Sequence, residues 1–221
     1  MKYLSKPIDG RRFAIGDIHG CLASFQAMLR KLHLQPEDQL ILLGDYVNRG
    51  PDSLGVLDQI IQLQTDGYKV HALRGNHEEM FLSARKGLLD PRQEQWLFDL
   101  PIGLETTDYY FTHAGLNFAV EDPLSDPQAM VWRPSFPQEP DEDFLGKRKL
   151  IQGHEIYSLS TIFDCIYDDG PVIFLDNGCY KGVGETEEEG IGNLCALNLD
   201  TRELIVQENV DERKEGGWEM W

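Results

Sequence analysis

Three segments in the N-terminal part of the chain repeat one pattern, in which an apolar run leads into a polar turn and then into a helix-like repeat. The runs are predicted strands, because short apolar stretches that end in glycine-containing turns are typical of buried strands. The strands with their turns lie at 12–20, 39–51 and 69–78, and helices are predicted at 21–34, 53–65 and 78–86. A β-α-β series of this kind builds a sheet whose carboxyl edge collects ligands. The pattern therefore predicts an α/β fold with a functional edge.

The second half of the chain is richer in strands. Strand-like segments lie at 109–115, 149–154, 171–175, 193–199 and 203–207. Few helical repeats separate them, so we expect a second sheet packed on the first.

Three further segments are expected to lie at the surface. The stretch between His113 and His154 is rich in proline and acidic residues, which indicates an extended surface loop or lid. Residues 185–189 are predicted to form a solvated charged loop. Trp218 and Trp221, near an acidic C-terminus, either pack against the protein or form a docking tail.

Length and charge limit the classes of partner. The 221 residues fit one domain, 1–221, and neither an internal repeat nor a linker divides them. A formal net charge of -18 repels a polyanion, so nucleic acid is not an expected partner. No apolar run reaches the roughly 20 residues of a spanning helix, and the N-terminus has no apolar signal core, so we expect a cytoplasmic protein without a membrane partner. Four cysteines without a C-x-x-C pair indicate reduced thiols.

Side chains that can bind a metal ion recur at the predicted strand ends. Carboxylate, imidazole and amide groups together suit Mn²⁺, Fe²⁺ or Zn²⁺ better than an all-oxygen magnesium or calcium site. Six such groups exceed the needs of one tetrahedral zinc ion and fit two ions that share a carboxylate. His33 and His71 fall inside a predicted helix and a predicted strand, and we expect structural roles for both. The six candidate ligands are Asp17, His19, Asp45, Asn76, His113 and His154.

Such a site is suited to hydrolysis at phosphorus. Two divalent ions about 3.5–4 Å apart acidify a shared water and hold both oxygens of an in-line displacement, so no protein nucleophile is needed. Arg49 and Arg74 add positive charge for a phosphate dianion, and a guanidinium fork matches phosphate geometry. His77, next to Asn76, is a candidate general acid for the leaving alkoxide.

Five short motifs resemble, in order and spacing, the signature blocks of the PPP-type metallophosphatases, the serine/threonine protein phosphatases with their small bacterial and phage members. The motifs lie at 16–20, 44–50, 75–78, 113–115 and 153–154, with weaker similarity at 175–178. The resemblance implies a calcineurin-like metallophosphoesterase fold, a sandwich of two mixed β-sheets flanked by helices, with a dinuclear metal centre.

The resemblance also implies roles for individual residues. Asp17 and His19 would hold the first ion, Asp45 would bridge, and the second ion would bind to Asn76, His113 and His154. Arg49 and Arg74 match the phosphate-binding arginines, and His77 matches the general acid. Arg133 is a further candidate for substrate binding, although the spacing around it departs from the family pattern, and the alternative is a surface arginine of the long loop.

Asn48 is the most informative departure from the family pattern. The family usually has an aspartate there, which pairs with the catalytic histidine. Asparagine keeps the size but removes the charge that favours imidazolium, so His77 is expected to be a weaker acid. The loss is bounded by the roughly 10²–10⁴-fold that general acid catalysis contributes. The residue is either natural or an engineered substitution.

Two other positions bear on the substrate. The motif at 153–155 (Gly-His-Glu) lacks the second histidine that phosphodiesterases of the superfamily often carry, which favours monoester hydrolysis. His19 stands where diadenosine tetraphosphate hydrolases of the superfamily often carry glutamine, which favours a protein phosphatase.

The leading hypothesis is a phosphatase with two divalent ions that acts on phosphorylated proteins or peptides carrying phosphoserine, phosphothreonine or phosphotyrosine. Mn²⁺ is the expected cofactor, with Fe²⁺, Zn²⁺ and Mg²⁺ as alternatives. The alternative functions are hydrolysis of diadenosine tetraphosphate or another small phosphate ester, and binding of phosphoproteins by a catalytically weakened site. The physiological substrate and the oligomeric state are left open by the sequence.

Overall fold

The computed structural model describes residues 1–84, 89–133, 139–182 and 190–212. The charged loop predicted at 185–189, Trp218 and Trp221 lie outside the described residues. The strands are β1 (Lys2–Tyr3), β2 (Arg12–Ile15), β3 (Gln39–Leu42), β4 (Lys69–Ala72), β5 (Gly103–Glu105), β6 (Tyr109–Thr112), β7 (Lys149–Gln152), β8 (Val172–Phe174), β9 (Asp176–Asn177), β10 (Asn193–Asn198) and β11 (Leu204–Glu208). The α-helices are α1 (Leu22–Leu32), α2 (Ser53–Thr65), α3 (Asn76–Ala84), α4 (Pro91–Phe98), α5 (Pro127–Trp132), α6 (Glu142–Leu145) and α7 (Leu159–Tyr167).

The first sheet has the strand order β11-β10-β2-β3-β4, with β9 paired to β10. β2, β3 and β4 are parallel, with Phe13 opposite Leu40 and Leu40 opposite Val70. Helices α1 and α2 connect these strands, so the predicted β-α-β series is confirmed. β10 is antiparallel to both β2 and β11. Because β10 and β11 extend the first sheet, the prediction that the strands of the second half form a separate sheet is wrong for these two.

The second sheet has the order β1-β5-β6-β7-β8. β6, β7 and β8 are parallel to one another, β5 is antiparallel to β6, and β1 is parallel to β5. Both sheets are therefore mixed, as predicted.

Alternating side chains of the central strands build the two main cores, because successive residues of a strand point to opposite faces of the sheet. Phe13 and Leu40 pack in a cluster with buried residues of α1 and α2. Ala14 and Ile41, their neighbours in sequence, pack with Phe111 of the second sheet. The two sheets thus face each other across an apolar layer, and helices cover the outer face of the first sheet.

The stretch between His113 and His154 is not the extended loop that the sequence predicts. It contains α5 and α6, whose Met130 and Leu145 are buried in a cluster with Tyr110 on the outer face of the second sheet. The acidic residues of the stretch begin the helices: Asp126 accepts a hydrogen bond from the Ala129 N–H, and a proline follows directly. Prolines and aspartates that suggested a loop are here N-terminal helix signals.

Helix α1 ends at a residue with left-handed backbone. His33 has φ 48° and donates its backbone N–H to carbonyls of the last turn, a common way to satisfy the end of a helix. His33 therefore caps the helix rather than lying inside it as predicted, whereas His71 lies in β4 as predicted. The four cysteines are free thiols. Among the described residues, no helix combines the length and apolar character needed to cross a bilayer.

Candidate active site

The predicted metal ligands follow strands whose carboxyl ends meet at one edge of the sandwich. Neighbouring parallel strands end at the same edge of a sheet, so the turns that follow them lie side by side. The six side chains are Asp17 and His19 after β2, Asp45 after β3, Asn76 at the start of α3 after β4, His113 after β6, and His154 after β7.

Asp45 lies at the centre of this group. Its Oδ2 is 3.5 Å from His19 Nε2, and its Oδ1 is 3.4 Å from His113 Nε2. Ligand atoms of His19, Asp45 and His77 lie within 4.8 Å of one another, and so do those of Asp45, His113 and His154. One carboxylate shared by two clusters is the arrangement that a pair of bridged ions requires.

Three atoms converge in the second cluster. Asn76 Oδ1 is 3.0 Å from His113 Nε2 and 3.1 Å from His154 Nδ1, and the two imidazole nitrogens are 3.1 Å apart. Asp17 adjoins this cluster, because the backbone N–H of His154 donates to its carboxylate at 3.1 Å. The structure therefore brings Asp17, His19, Asp45, Asn76, His113 and His154 together.

The tautomers of two histidines show that this donor set suits metal ions. His19 Nδ1 lies 3.0 Å from the Val47 carbonyl, and His113 Nδ1 lies 3.0 Å from the Leu43 carbonyl. Since a carbonyl only accepts, each Nδ1 carries a proton, and in the neutral imidazole each Nε2 then presents a lone pair to Asp45. Backbone carbonyls orient metal-binding imidazoles in the same way. Lone pairs that meet carboxylate and amide oxygens repel one another unless a cation lies between them, so the residues fit a pair of divalent ions.

The electrostatics of the buried site follow from desolvation and mutual repulsion. Burial, with repulsion from Asp176 and Asp45, holds the pKa of Asp17 well above its ordinary value. Burial also lowers the pKa of His19 to about 4 and, together with His113, that of His154 to about 4. Burial alone would lower the pKa of His113, but the charge and hydrogen bond of Asp45 outweigh it and raise that pKa. The neutral imidazole is the form that binds a metal ion, so His19 and His154 are already in that form near pH 7 and His113 would release its proton when a cation binds.

The backbone around the ligands is held in an unusual conformation. His19, Asp45 and His154 have φ values of 47°, 54° and 69°, in the left-handed region that costs energy for residues with a side chain. Gly75 packs so closely that a Cβ there would lie 2.2 Å from Asp45 Oδ1. Glycine is required at this position because the carboxylate occupies the space of a side chain.

Glu78 supports the site, and the sequence analysis assigned it no role. It is fully buried, and its carboxylate accepts backbone N–H groups of Asp45, Tyr46 and Gly75, each at 2.8 Å. These bonds join the turn after β3 to the turn after β4. The motif at 75–78 contains Glu78, but its partners are backbone groups, which leave no signal in a sequence.

Asp176 is a second buried carboxylate without an assigned role from sequence. It accepts the Gly178 N–H at 2.7 Å, and burial with repulsion from Asp45 raises its pKa to about 6. Its charge also raises the pKa of Asp17. The weak similarity at 175–178 was the available signal for this residue.

Asn48 contacts the candidate general acid. Asn48 Nδ2 lies 3.0 Å from His77 Nδ1, and the His77 ring stands edge-on to His19 with ring centroids 4.6 Å apart. As oriented, the amide donates to Nδ1, which leaves the His77 proton on Nε2. The backbone N–H of His77 also donates to Asp45 Oδ1 at 3.0 Å. Burial lowers the pKa of His77.

The three predicted substrate-binding arginines have different surroundings. Arg49 is exposed, donates to the Tyr180 hydroxyl at 3.1 Å and lies over the Tyr180 ring. Arg74 donates to the Phe98 carbonyl, and its buried Nε has no partner among the described residues. Arg133 is paired with Glu155, directly after His154. Arg49 is near enough to His19 and His77 to lower both their pKa values.

Comparisons with known proteins extend over most of the chain. The model of a family described as calcineurin-like phosphoesterase matches residues 11–178. A symmetrical bis(5'-nucleosyl)-tetraphosphatase of Janthinobacterium sp. (strain Marseille) is 32% identical over 121 residues, which cover 47% of this chain and 43% of that protein. Serine/threonine-protein phosphatase 1 of Salmonella typhimurium is 43% identical over 74 residues, which cover 33% of this chain and 32% of that protein.

The chain aligns with less than half the length of these curated relatives. A solved structure provisionally assigned as a diadenosine tetraphosphatase has a TM-score of 0.71 at 22% identity, and covers 96% of this chain and 99% of that one. At this identity the similarity shows the fold alone. The matched family segment includes every strand that precedes a candidate ligand, and the sandwich is the one implied by the sequence motifs. The chain therefore belongs to the calcineurin-like phosphoesterase family.

Proposed function

We propose that this phosphoesterase hydrolyses the phosphoanhydride bond of dinucleoside polyphosphates. The sequence motifs alone favour phosphoproteins over diadenosine tetraphosphate as the substrate. The chain aligns with a symmetrical bis(5'-nucleosyl)-tetraphosphatase over 121 residues, but with the protein phosphatase over only 74 residues. This support reverses the order of the two substrates.

The observation that carries the proposal is the contact between Asn48 Nδ2 and His77 Nδ1 at 3.0 Å. A neutral amide stabilises imidazolium less than a carboxylate does. With Nδ1 accepting this bond, His77 offers a hydrogen bond from Nε2 and is a poor donor of a full proton. A serine alkoxide leaves badly without that proton, because it is a strong base. A nucleoside phosphate is a much weaker base and leaves without full protonation, so it suits this site.

Other residues have roles in binding and positioning. Two divalent ions held by the six candidate ligands would acidify a water and neutralise charge on the phosphate, and we propose Mn²⁺ as the native ion. Asp45 and Asn76 would help to hold the ions. His19 and His113 are oriented by backbone carbonyls, and Arg49 supplies positive charge at the exposed side of the site.

The test compares kcat/KM for diadenosine tetraphosphate, a phosphoserine peptide and p-nitrophenyl phosphate, in the original chain and in Asn48→Asp. We expect diadenosine tetraphosphate to be the best substrate of the original chain. Asn48→Asp should raise the rate on phosphoserine by about 10-fold to 100-fold, within the range of general acid catalysis, and change the anhydride rate little. Asn48→Ala, which removes the contact without adding charge, is the matched control.

Two results would contradict the proposal. The first is a kcat/KM on the phosphoserine peptide that exceeds that on diadenosine tetraphosphate in the original chain. The second is an equal gain on both substrates in Asn48→Asp, since the leaving-group argument requires the gains to differ.

Phosphoprotein hydrolysis is the second candidate function. The 43% identity to serine/threonine-protein phosphatase 1 of Salmonella typhimurium supports it, as does a histidine at position 19, where diadenosine tetraphosphate hydrolases of the superfamily often carry glutamine. The same substrate panel distinguishes the two functions, and slow turnover with tight phosphate binding would favour the phosphoprotein-binding alternative.

A further inference from the structure

A cavity of about 460 Å³ lies over strands β7 and β8 on the outer face of the second sheet, and extends from Pro171, just before β8, to the residues that follow His113 and His154. Its wall includes Ala114 and Gly115, which follow His113 directly, and Glu155, which follows His154 directly. A molecule bound in the cavity would therefore contact residues that are the direct sequence neighbours of two candidate metal ligands, His113 and His154. The volume falls in the range of roughly 300–1,000 Å³ that is usual for small-molecule sites.

Three aromatic rings contribute to the cavity wall. Phe118, Tyr157 and Phe174 line it, and each is only half-buried. The rings of Tyr157 and Phe174 have centroids 4.3 Å apart at an interplanar angle of 32°. Phe118 and Phe174 come from segments on opposite sides of β7. Half-buried rings around a cavity provide flat apolar faces on which a planar ligand can stack.

Polar groups lie beside these rings. Gln152 lines the cavity and donates its amide to the Ala114 carbonyl at 3.4 Å. Gly115 leaves the space beside that amide free, since a Cβ there would lie 3.1 Å from Gln152 Oε1. A glutamine amide combines a donor and an acceptor, the pair that reads the edge of adenine.

Glu155 is fixed at the cavity by two partners. It accepts a hydrogen bond from the Tyr157 hydroxyl at 2.9 Å and is paired with Arg133. Arg133 is 46% exposed in its side chain and lines the same cavity. The pairing brings a guanidinium to the cavity wall and offsets the charge of Glu155, while Glu139 adds a second carboxylate to the lining. The site therefore suits the uncharged base of a ligand better than its phosphates.

We propose that this cavity binds the nucleobase of a nucleotide whose phosphates lie at the Asp45-centred clusters. This inference rests on the proposed function. It specifies the substrate as a nucleotide whose base is bound by the cavity and whose phosphates are bound at the metal site. Stacking against Phe118 and Tyr157 supplies affinity for the base, and Gln152 supplies hydrogen bonds to its edge. Arg133 in the cavity wall faces the chain of phosphates that links the base to the metal site.

The test measures binding by calorimetry, so that it does not depend on turnover. Protein with Mn²⁺ is titrated with ADP and with pyrophosphate, which share phosphate groups and differ in the nucleoside. We expect ADP to bind at least about 10-fold more tightly. Phe118→Leu and Tyr157→Leu each remove a ring and should weaken ADP by about 5-fold to 100-fold, the usual range for loss of one stacking partner, while pyrophosphate binding stays unchanged.

Phe163→Leu is the matched control. Phe163 is exposed and stacks on Tyr167 in α7, outside the cavity wall, so the same substitution there should alter neither affinity. Equal affinities of the original chain for ADP and pyrophosphate would overturn the proposal. Equal weakening of both ligands in Phe118→Leu and Tyr157→Leu would also overturn it, because the rings would then act on the fold and not on the base.

The outcomes separate this inference from the function it rests on. If ADP is preferred through the two rings but diadenosine tetraphosphate is not hydrolysed, the base site stands and the proposed reaction fails. If diadenosine tetraphosphate is hydrolysed but ADP and pyrophosphate bind alike, the reaction stands and the base site fails. Adenosine, which has no phosphate, should compete with ADP for binding to the original chain. This competition should be much weaker in Tyr157→Leu.

Discussion

Replacing Glu78 by glutamine is the most direct test of how the site is held together. The Glu78 carboxylate accepts three backbone N–H groups at 2.8 Å, two of them at one oxygen, Oε2, and one at Oε1. Glutamine has the same shape but carries an NH₂ in place of one oxygen. In either orientation of the amide, that NH₂ faces at least one N–H that it cannot accept.

The size of the effect can be estimated from the bonds involved. Hydrogen bonds to a charged group contribute about 1.5–3 kcal/mol each, neutral ones about 0.5–1.5 kcal/mol, and an unsatisfied buried donor costs about 1–3 kcal/mol. Against this, Glu78 itself is costly to bury as an anion, since burial and repulsion from Asp45 raise its pKa to about 7. The net loss of unfolding free energy in Glu78→Gln is therefore expected to be about 2–4 kcal/mol.

Glu78→Gln should also lower the affinity of the site for metal ions. Asp45 and Gly75 lose their anchor, so the carboxylate shared by the two clusters moves, and loss of such a supporting contact typically lowers metal affinity about 10-fold to 100-fold. Urea unfolding followed by circular dichroism measures stability, and Mn²⁺ titration calorimetry measures affinity. Glu208→Gln, the same change at an exposed strand end, is the control. An unchanged urea midpoint with unchanged Mn²⁺ affinity would refute the role assigned to Glu78.

Two further predictions test local features. Gly75→Ala should lower Mn²⁺ affinity by at least about 10-fold, because its Cβ would meet a carboxylate oxygen of Asp45 at 2.2 Å, whereas Gly170→Ala, with no atom nearer than 3.4 Å, should bind normally; equal calorimetric affinities would contradict this. Asp38→Asn should lower the unfolding free energy by about 1–2 kcal/mol at pH 7. Burial favours the neutral acid, but hydrogen bonds from Arg11 outweigh it and hold the pKa of Asp38 below its ordinary value. The contribution is therefore complete above about pH 4 and is lost as the pH falls through the lower folded-state pKa, so urea midpoints of the two proteins should converge in acid and not in base.

The candidate ligands could be predicted because strand ends are visible in a sequence. Asp17, Asp45 and His154 each follow an apolar run and a glycine, and parallel strands bring such positions to one edge. The position of β10 could not be predicted. Its apolar pattern indicates a strand, but the partner is chosen by tertiary packing, here with Leu197 opposite Ala14 of β2.

Contacts made by backbone groups, or by side chains far apart in the chain, could not be predicted from the sequence either. Glu78 binds N–H groups, which every residue other than proline possesses, so no residue type reveals its partners. The cavity wall joins Phe118, Tyr157 and Phe174, and their separation in the chain hides their proximity. Helix α5 is not evident in the sequence because the proline and aspartate that start it also favour turns.

The position of Asp45 and His113 has a consequence for the stability of the whole molecule. Asp45 follows a strand of the first sheet, His113 follows a strand of the second, and their side-chain atoms are 3.4 Å apart. A cation held by both residues works as a reversible cross-link between the sheets. It binds only while the sheets keep their relative position, so it favours the folded state by mass action, by about 4 kcal/mol when the free ion is 1,000-fold above its dissociation constant. If a cation binds there, the melting temperature of the protein should rise with the concentration of free ion.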